Sequence, residues 1–127
     1  MKDLLWIEER EALTLHERLL ALHGGAAGIR DQGLLQSALA RPHQHFAYAD
    51  TVDVIYLAAI YTSSIVRNYP FLDGNKRTGF VIGILFLELN GYRFKASEQA
   101  AAQAVLALAS GTMDENGYTA FLNANVR

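Results

Sequence analysis

The residues best equipped for chemistry stand side by side in Tyr69-Pro70-Phe71-Leu72-Asp73-Gly74-Asn75-Lys76-Arg77-Thr78. A turn of Pro, Asp, Gly and Asn runs directly into an apolar stretch that opens with two cations. The start of a helix exposes unpaired N–H groups and the positive end of the macrodipole, so it ordinarily attracts Asp or Glu. Lys76 and Arg77 at such a place make sense when an anion sits there. A phosphate collects the free N–H groups, the dipole and both side chains together. Gly74 permits close approach of backbone to a ligand, and Asp73 beside phosphates suits a hard cation such as Mg²⁺. Gly74 and Asn75 offer backbone N–H groups, Asn75 its amide as well, and Arg77 a bidentate fork. Arg67 lies close enough in sequence to join them, although a cation near a helix C-terminus is favourable without any ligand. The plain alternative is a polar turn capped by Asn75, with Lys76 and Arg77 in solvent. The chemistry this set suits is phosphoryl or nucleotidyl transfer, which asks that phosphates be fixed, charge neutralised and an acceptor hydroxyl held in line.

Helical periodicity dominates the elements that must hold this segment. A first helix is expected from Glu8 to Leu22, stopped by Gly24-Gly25. A glycine-bearing connection through Gly28-Ile29-Arg30-Asp31 leads to a short helix from Gln32 to Ala40, which should end before Pro42. Val52 to Asn68 and Asn75 to Asn90 are apolar nearly all round, so both helices should be buried, with the 69–74 turn at their shared end. Tyr92 to Lys95 alternates and reads as a short extended piece. Helices from Ser97 to Ser110 and from Asp114 or Glu115 to Asn123 complete the chain. The expectation is an all-α fold of about six helices, a single domain over residues 1–127.

Composition narrows the function. Hydrophobic residues make up 51% of the 127 and charged residues 19%, which is a globular balance. With no cysteine, there is no disulfide framework, thiol nucleophile or Cys-zinc site. The first ten residues turn acidic before a signal-peptide apolar region forms, and Phe80 to Leu87 is too short to span a bilayer. A cytoplasmic protein without membrane contact is expected. Net charge of −2 and a pI near 6.0 argue against direct nucleic-acid binding through a basic surface.

Pro70, Phe71, Asp73, Gly74 and Asn75 fall in register with the signature His-Pro-Phe-x-Asp/Glu-Gly-Asn-x-x-Arg, and Arg77, two places after Asn75, with its close variant that has one residue between Asn and Arg; the chain thereby resembles the Fic/Doc (Fido) family. Gly28-x-Arg30-Asp31 followed by a Leu- and Ala-rich helix is similar to members of the Doc type. Lys76 stands where adenylyl-transferring Fic proteins carry Gly, a further likeness to the Doc branch. The resemblance implies a compact helical toxin that passes the terminal phosphate of ATP to a protein hydroxyl, with elongation factor Tu the expected target. It implies Mg²⁺ held by Asp73, phosphates bound by Arg67, Gly74, Asn75, Lys76 and Arg77, and catalysis from position 69, Asp73 and Lys76. Inhibition in trans by a Phd-type antitoxin is also implied. The inhibitory Ser/Thr-x-x-x-Glu-Gly/Asn device of some Fic proteins is missing, since Glu115-Asn116 is preceded four residues earlier by Gly111. Two other readings stay open: a protein adenylyltransferase, and a non-catalytic domain that binds a partner.

One position departs from the signature. The family has its general base, a His, where this chain has Tyr69. An imidazole titrates near 6.5, but a phenol ordinarily near 10, so only about 0.1% of such groups are ionised at pH 7. The expectation is a site that keeps nucleotide binding and loses catalysis, with Tyr69→His restoring phosphotransfer.

Elsewhere the readings are plainer. His43-x-His45 is expected in a loop rather than a metal site. His16 and His23, seven apart, should face solvent, while Tyr48, Tyr56 and Tyr61 should line core and groove. Trp6 reads as a packed anchor and Phe71 as a core plug that fixes the motif turn. Segment 42–53 is placed as a flap beside the site.

Overall fold

The computed structural model describes residues 3–127; Met1 and Lys2, the start of the acidic N-terminal stretch, lie outside the described residues. Among the described residues six helices follow in order: α1 Glu9–His23, α2 Gln32–Tyr48, α3 Val54–Asn68, α4 Asn75–Leu89, α5 Glu98–Ser110 and α6 Glu115–Ala124. The all-α expectation holds. The extended piece near Tyr92 is real but minimal, an antiparallel bridge between Phe94 and Val126 that ties the chain end back after α4.

α3 is the axis of the fold. Every residue from Leu57 to Val66 is buried, and the helix packs on α2, α4, α5 and α6. A helix that apolar has no side to give to water, so its neighbours must surround it. Its closest neighbour is α4, where small residues face the contact. A Cβ on Gly79 would lie 3.2 Å from the Thr62 carbonyl and 2.9 Å from Val66 Cγ2, and one on Gly83 would run into the Thr62 hydroxyl. The Thr62 hydroxyl instead donates to the Gly79 carbonyl at 2.8 Å. This tight pairing sets the motif turn on a rigid hairpin. Midway along α3, the buried Tyr61 hydroxyl donates to the Ile7 carbonyl and accepts from the Ile7 N–H, anchoring the segment just before α1.

The structure overturns the expected end of α2. The helix does not stop before Pro42 but runs on to Tyr48, so residues 42–46 are not a loop and His43 and His45 are helical. Pro42 costs the helix a backbone donor, about 3 kcal/mol in an exposed helix interior. Packing outweighs that here. Pro42 itself is buried; beyond it His43 stacks on Trp6 at 3.9 Å, and Phe46 meets the same indole edge-on at 5.3 Å. Trp6 is thus the packed anchor expected of it. The segment placed as a flap reduces to residues 49–53, ended by Asp53, whose carboxylate caps α3 at Ile55 and Tyr56.

Candidate functional site

The turn between α3 and α4 is held from outside by residues 24–31. α3 ends at Tyr69, the one non-glycine residue with positive φ among the described residues, at φ 51 and ψ 54. A left-handed conformation costs a side-chain-bearing residue about 1–2 kcal/mol. Arg30 offsets it by capping the helix end: its Nε donates to the Tyr69 carbonyl at 2.6 Å and its Nη2 to the Asn68 carbonyl at 2.7 Å. The backbones of Arg30 and Asp31 both donate to the Pro70 carbonyl, and Leu72 donates to Gly28. The Gly28-to-Asp31 connection is therefore a short strand-like clamp on the motif, bridging Ile29 to Phe71.

Inside the turn, Phe71 is buried as expected, and its ring stacks on His16 with centroids 3.8 Å apart and planes 9° apart. Asn75, only 8% exposed, accepts from the Phe71 N–H and donates to the Phe71 carbonyl, both at 2.9 Å. One amide N–H and the amide oxygen thus close the loop, which gives the side chain a structural part that the sequence did not show; the backbone N–H at the start of α4 is separate from it. Asp73 is exposed, and each of its oxygens accepts one backbone N–H, from Gly74 at 2.8 Å and from Ala26 at 3.2 Å. Gly25 must be glycine for this: a Cβ there would lie 2.8 Å from the Asp73 carboxylate.

α4 then begins with nothing of its own to satisfy it. Its N-cap is Gly74 at φ 78, no side chain caps it, and no acid lies in the first turn. Lys76 and Arg77 are exposed and form no salt bridge among the described residues. Free N–H groups, dipole and two cations converge at this end, a combination with which an anion would be compatible. For a divalent ion, the available protein ligand is the Asp73 carboxylate, with lone pairs left on both oxygens. No group of three His, Cys, Asp or Glu able to hold a metal occurs among the described residues. One carboxylate completed by phosphate oxygens and water is how Mg²⁺ is commonly held, so the residues present fit that ion.

Arg67 is placed elsewhere. It lies on the last turn of α3 but over the α5–α6 turn, its Nη2 3.8 Å from where a Cβ on Gly111 would be. There it lines a polar cleft of about 530 Å³ with Arg41, Ser63, Asn68 and Glu115. Arg41 grips Glu115 at 2.6 and 3.2 Å and donates to the Ser64 hydroxyl at 2.8 Å. Burial works to raise the Glu115 carboxyl. The Arg41 hydrogen bonds, the nearby Ser63 hydroxyl and the charges of Arg41 and Arg67 outweigh it and hold the group below the usual carboxylate range. The Ser63 hydroxyl is close enough to favour that charge but falls short of hydrogen-bond geometry.

His16 corrects another expectation. It does not face solvent: it is 3% exposed, and its Nε2 lies 2.8 Å from the Asp73 carbonyl. His23 is exposed. The signal for His16 was available, because it sits four residues after Ala12, the other buried position of α1, and so on its inward stripe. Tyr61 is fully buried, whereas Tyr48 is 88% exposed and lines a second cleft with Arg41, His45 and Tyr56.

A family model described as Fic/DOC matches residues 6–87, which take in α1 to α3, the motif turn and nearly all of α4. The chain is 30% identical over 95 residues to "Protein kinase doc" of Escherichia phage P1, covering 75% of each chain. It is 38% identical over 74 residues to "Toxin Doc" of Mycolicibacterium smegmatis, covering 58% of this chain and 57% of that relative.

Proposed function

Because the chain belongs to the Fic/DOC family, we propose that it is a Doc-like toxin of a toxin–antitoxin system, impaired by Tyr69. Its reaction would pass the terminal phosphate of ATP to a hydroxyl of a translation factor, of the elongation factor Tu type. The observation that carries this reading is the start of α4, uncapped and free of acids, with Lys76 and Arg77 unpaired beside an exposed Asp73. Lys76 and Arg77 bind phosphate oxygens, Arg77 as a fork, together with the backbone N–H of Asn75; the Gly74 N–H, expected to join them, is engaged by Asp73 Oδ1 and serves the loop instead. The Asp73 carboxylate would hold Mg²⁺, and the ion would supply neutralisation of the phosphate charge. Asn75 and Arg30 keep the loop in one shape, so that the acceptor hydroxyl meets the phosphate in line. Position 69 is where that hydroxyl's proton would be taken. A phenol in place of an imidazole forfeits general-base help of about 10²–10⁴-fold.

Residues 1–127 are read as one such domain, acting in the cytoplasm. Among the described residues no helix is long and apolar enough to cross a membrane. Control would come in trans from a Phd-type antitoxin. Support comes from Glu115, whose carboxylate is already engaged by Arg41 and so is not free to cover the motif cations. Arg67 has no assigned part in phosphate binding unless the α5–α6 turn shifts, since its guanidinium lies over that turn.

The test is calorimetry with ATP and Mg²⁺ on this chain and on Tyr69→His, followed by transfer from labelled ATP to elongation factor Tu. Binding by both forms, with γ-phosphate transfer gained about 10²-fold or more in Tyr69→His, supports the disabled kinase. Label arriving from the α-phosphate would instead make it an adenylyltransferase. Binding by neither form would leave a partner-binding domain on this fold.

A further inference from the structure

We propose that His16 is a positioning residue for the Asp73–Gly74 peptide, fixing the direction in which the Asp73 carboxylate faces. The consequence for ATP rests on the phosphate-handling reading above; the geometry does not. A carbonyl oxygen only accepts, so the 2.8 Å contact from His16 Nε2 to the Asp73 carbonyl requires the proton on Nε2. The ring has no freedom to turn away, being 3% exposed and stacked on Phe71. The same peptide is held at its other end, because the Gly74 N–H donates back to Asp73 Oδ1 at 2.8 Å. The second carboxylate oxygen is held by the Ala26 N–H. Gly74 sits in the left-handed region against the imidazole, where an added Cβ would lie 3.8 Å from its Nε2.

Carbonyl, amide and both carboxylate oxygens are thus each fixed by one partner, and His16 is the only side chain from another element among them. Without its donor, the peptide can rotate. Rotation would swing the Gly74 N–H off Oδ1 and re-aim the carboxylate, while leaving Lys76 and Arg77 one turn further on in place. His16 should therefore act on metal-dependent affinity more than on phosphate affinity. Partners that orient a metal ligand in this indirect way are commonly worth about 10–100-fold in metal affinity.

The experiment compares the unaltered chain with His16→Phe, which keeps a ring for the Phe71 stack but has no donor, and with His16→Gln, which keeps a donor without the ring. Amide hydrogen exchange is read residue by residue, and ATP binding is titrated with and without Mg²⁺. In His16→Phe, exchange at Leu72 and Gly74 should rise about tenfold, with the amides of α3 and α6 unchanged. The Mg²⁺ concentration that half-saturates the ATP complex should rise about tenfold, and ATP affinity without Mg²⁺ should change less than about twofold. His16→Gln should recover most of both effects. A uniform rise in exchange over α1 and α4, with equal loss of ATP affinity in both conditions, would overturn the proposal and leave His16 a packing residue. If the unaltered chain bound no ATP at all, the phosphate reading would fall, and the exchange pattern alone would decide the role of His16.

Discussion

At the start of α6, Asp114 accepts from the Gly117 N–H at 2.7 Å, Glu115 stands in the first turn, and Arg41 closes on the Glu115 carboxylate at 2.6 Å. At the start of α4, Gly74 offers no side chain, no acid follows, and Lys76 and Arg77 have no carboxylate within reach among the described residues. Both ends present the same raw material: free N–H groups, a positive dipole and nearby cations. The first is neutralised from within and carries structure. The second has no counter-charge among the described residues, which is the condition the proposed phosphate binding requires. Arginine near a helix start is therefore not informative by itself; what matters is whether the chain already provides its counter-charge.

The strongest way to break this contrast is to make α4 resemble α6. Replacing both cations, as Lys76→Glu with Arg77→Glu, should weaken ATP binding by about 100-fold or more, roughly 2.7 kcal/mol. Because acids at a helix start contribute about 0.3–1 kcal/mol, thermal stability should hold or rise. Opposite signs in calorimetry and melting identify a binding end; parallel losses would place the two cations in the structural scaffold. Next in size is Asn75→Ala, which removes both bonds to Phe71 from a buried position. A loss of about 2 kcal/mol in urea unfolding is expected, since the Phe71 backbone groups are left unpaired.

The smallest effect sharpens the α6 side. With Arg41 44% exposed, water screens its pair with Glu115, and Glu115→Gln should cost only about 1 kcal/mol at neutral pH. Its pH signature is more telling. A carboxyl held below its ordinary value of 4.5 stabilises the fold above that pH, and the gain is lost as pH falls through the lower folded value. Unfolding followed from pH 6 downward should show this acid limb in the unaltered chain and a flatter one in Glu115→Gln.

Six helices, their order and the placing of the motif turn between two buried ones were legible because each rests on local rules. Apolar periodicity over Val54–Asn68 and Asn75–Leu89, glycine stops and the turn residues at 70–75 operate within a few positions along the chain. The overrun of α2 past Pro42 was not legible, because the contacts that outweigh proline come from Trp6, thirty-odd residues away. In the candidate site, residue types declared the anion-seeking character of Lys76 and Arg77, and the departure at Tyr69 was plain from the signature. The sharing-out of polar groups was not.

What the sequence determined by itself is the helical architecture and the charge composition of the motif, since secondary structure and a helix-start dipole depend on neighbours in the chain. Which groups are left over for a ligand was decided only by the tertiary structure. Asn75 is bonded to the Phe71 backbone, Arg67 is carried to the α5–α6 turn, His16 is turned inward onto Asp73, and Arg30 is brought across to cap Tyr69. Hydrogen bonds and ion pairs are short-ranged, so each of these outcomes waited on which segments packing brought within about 3 Å of one another.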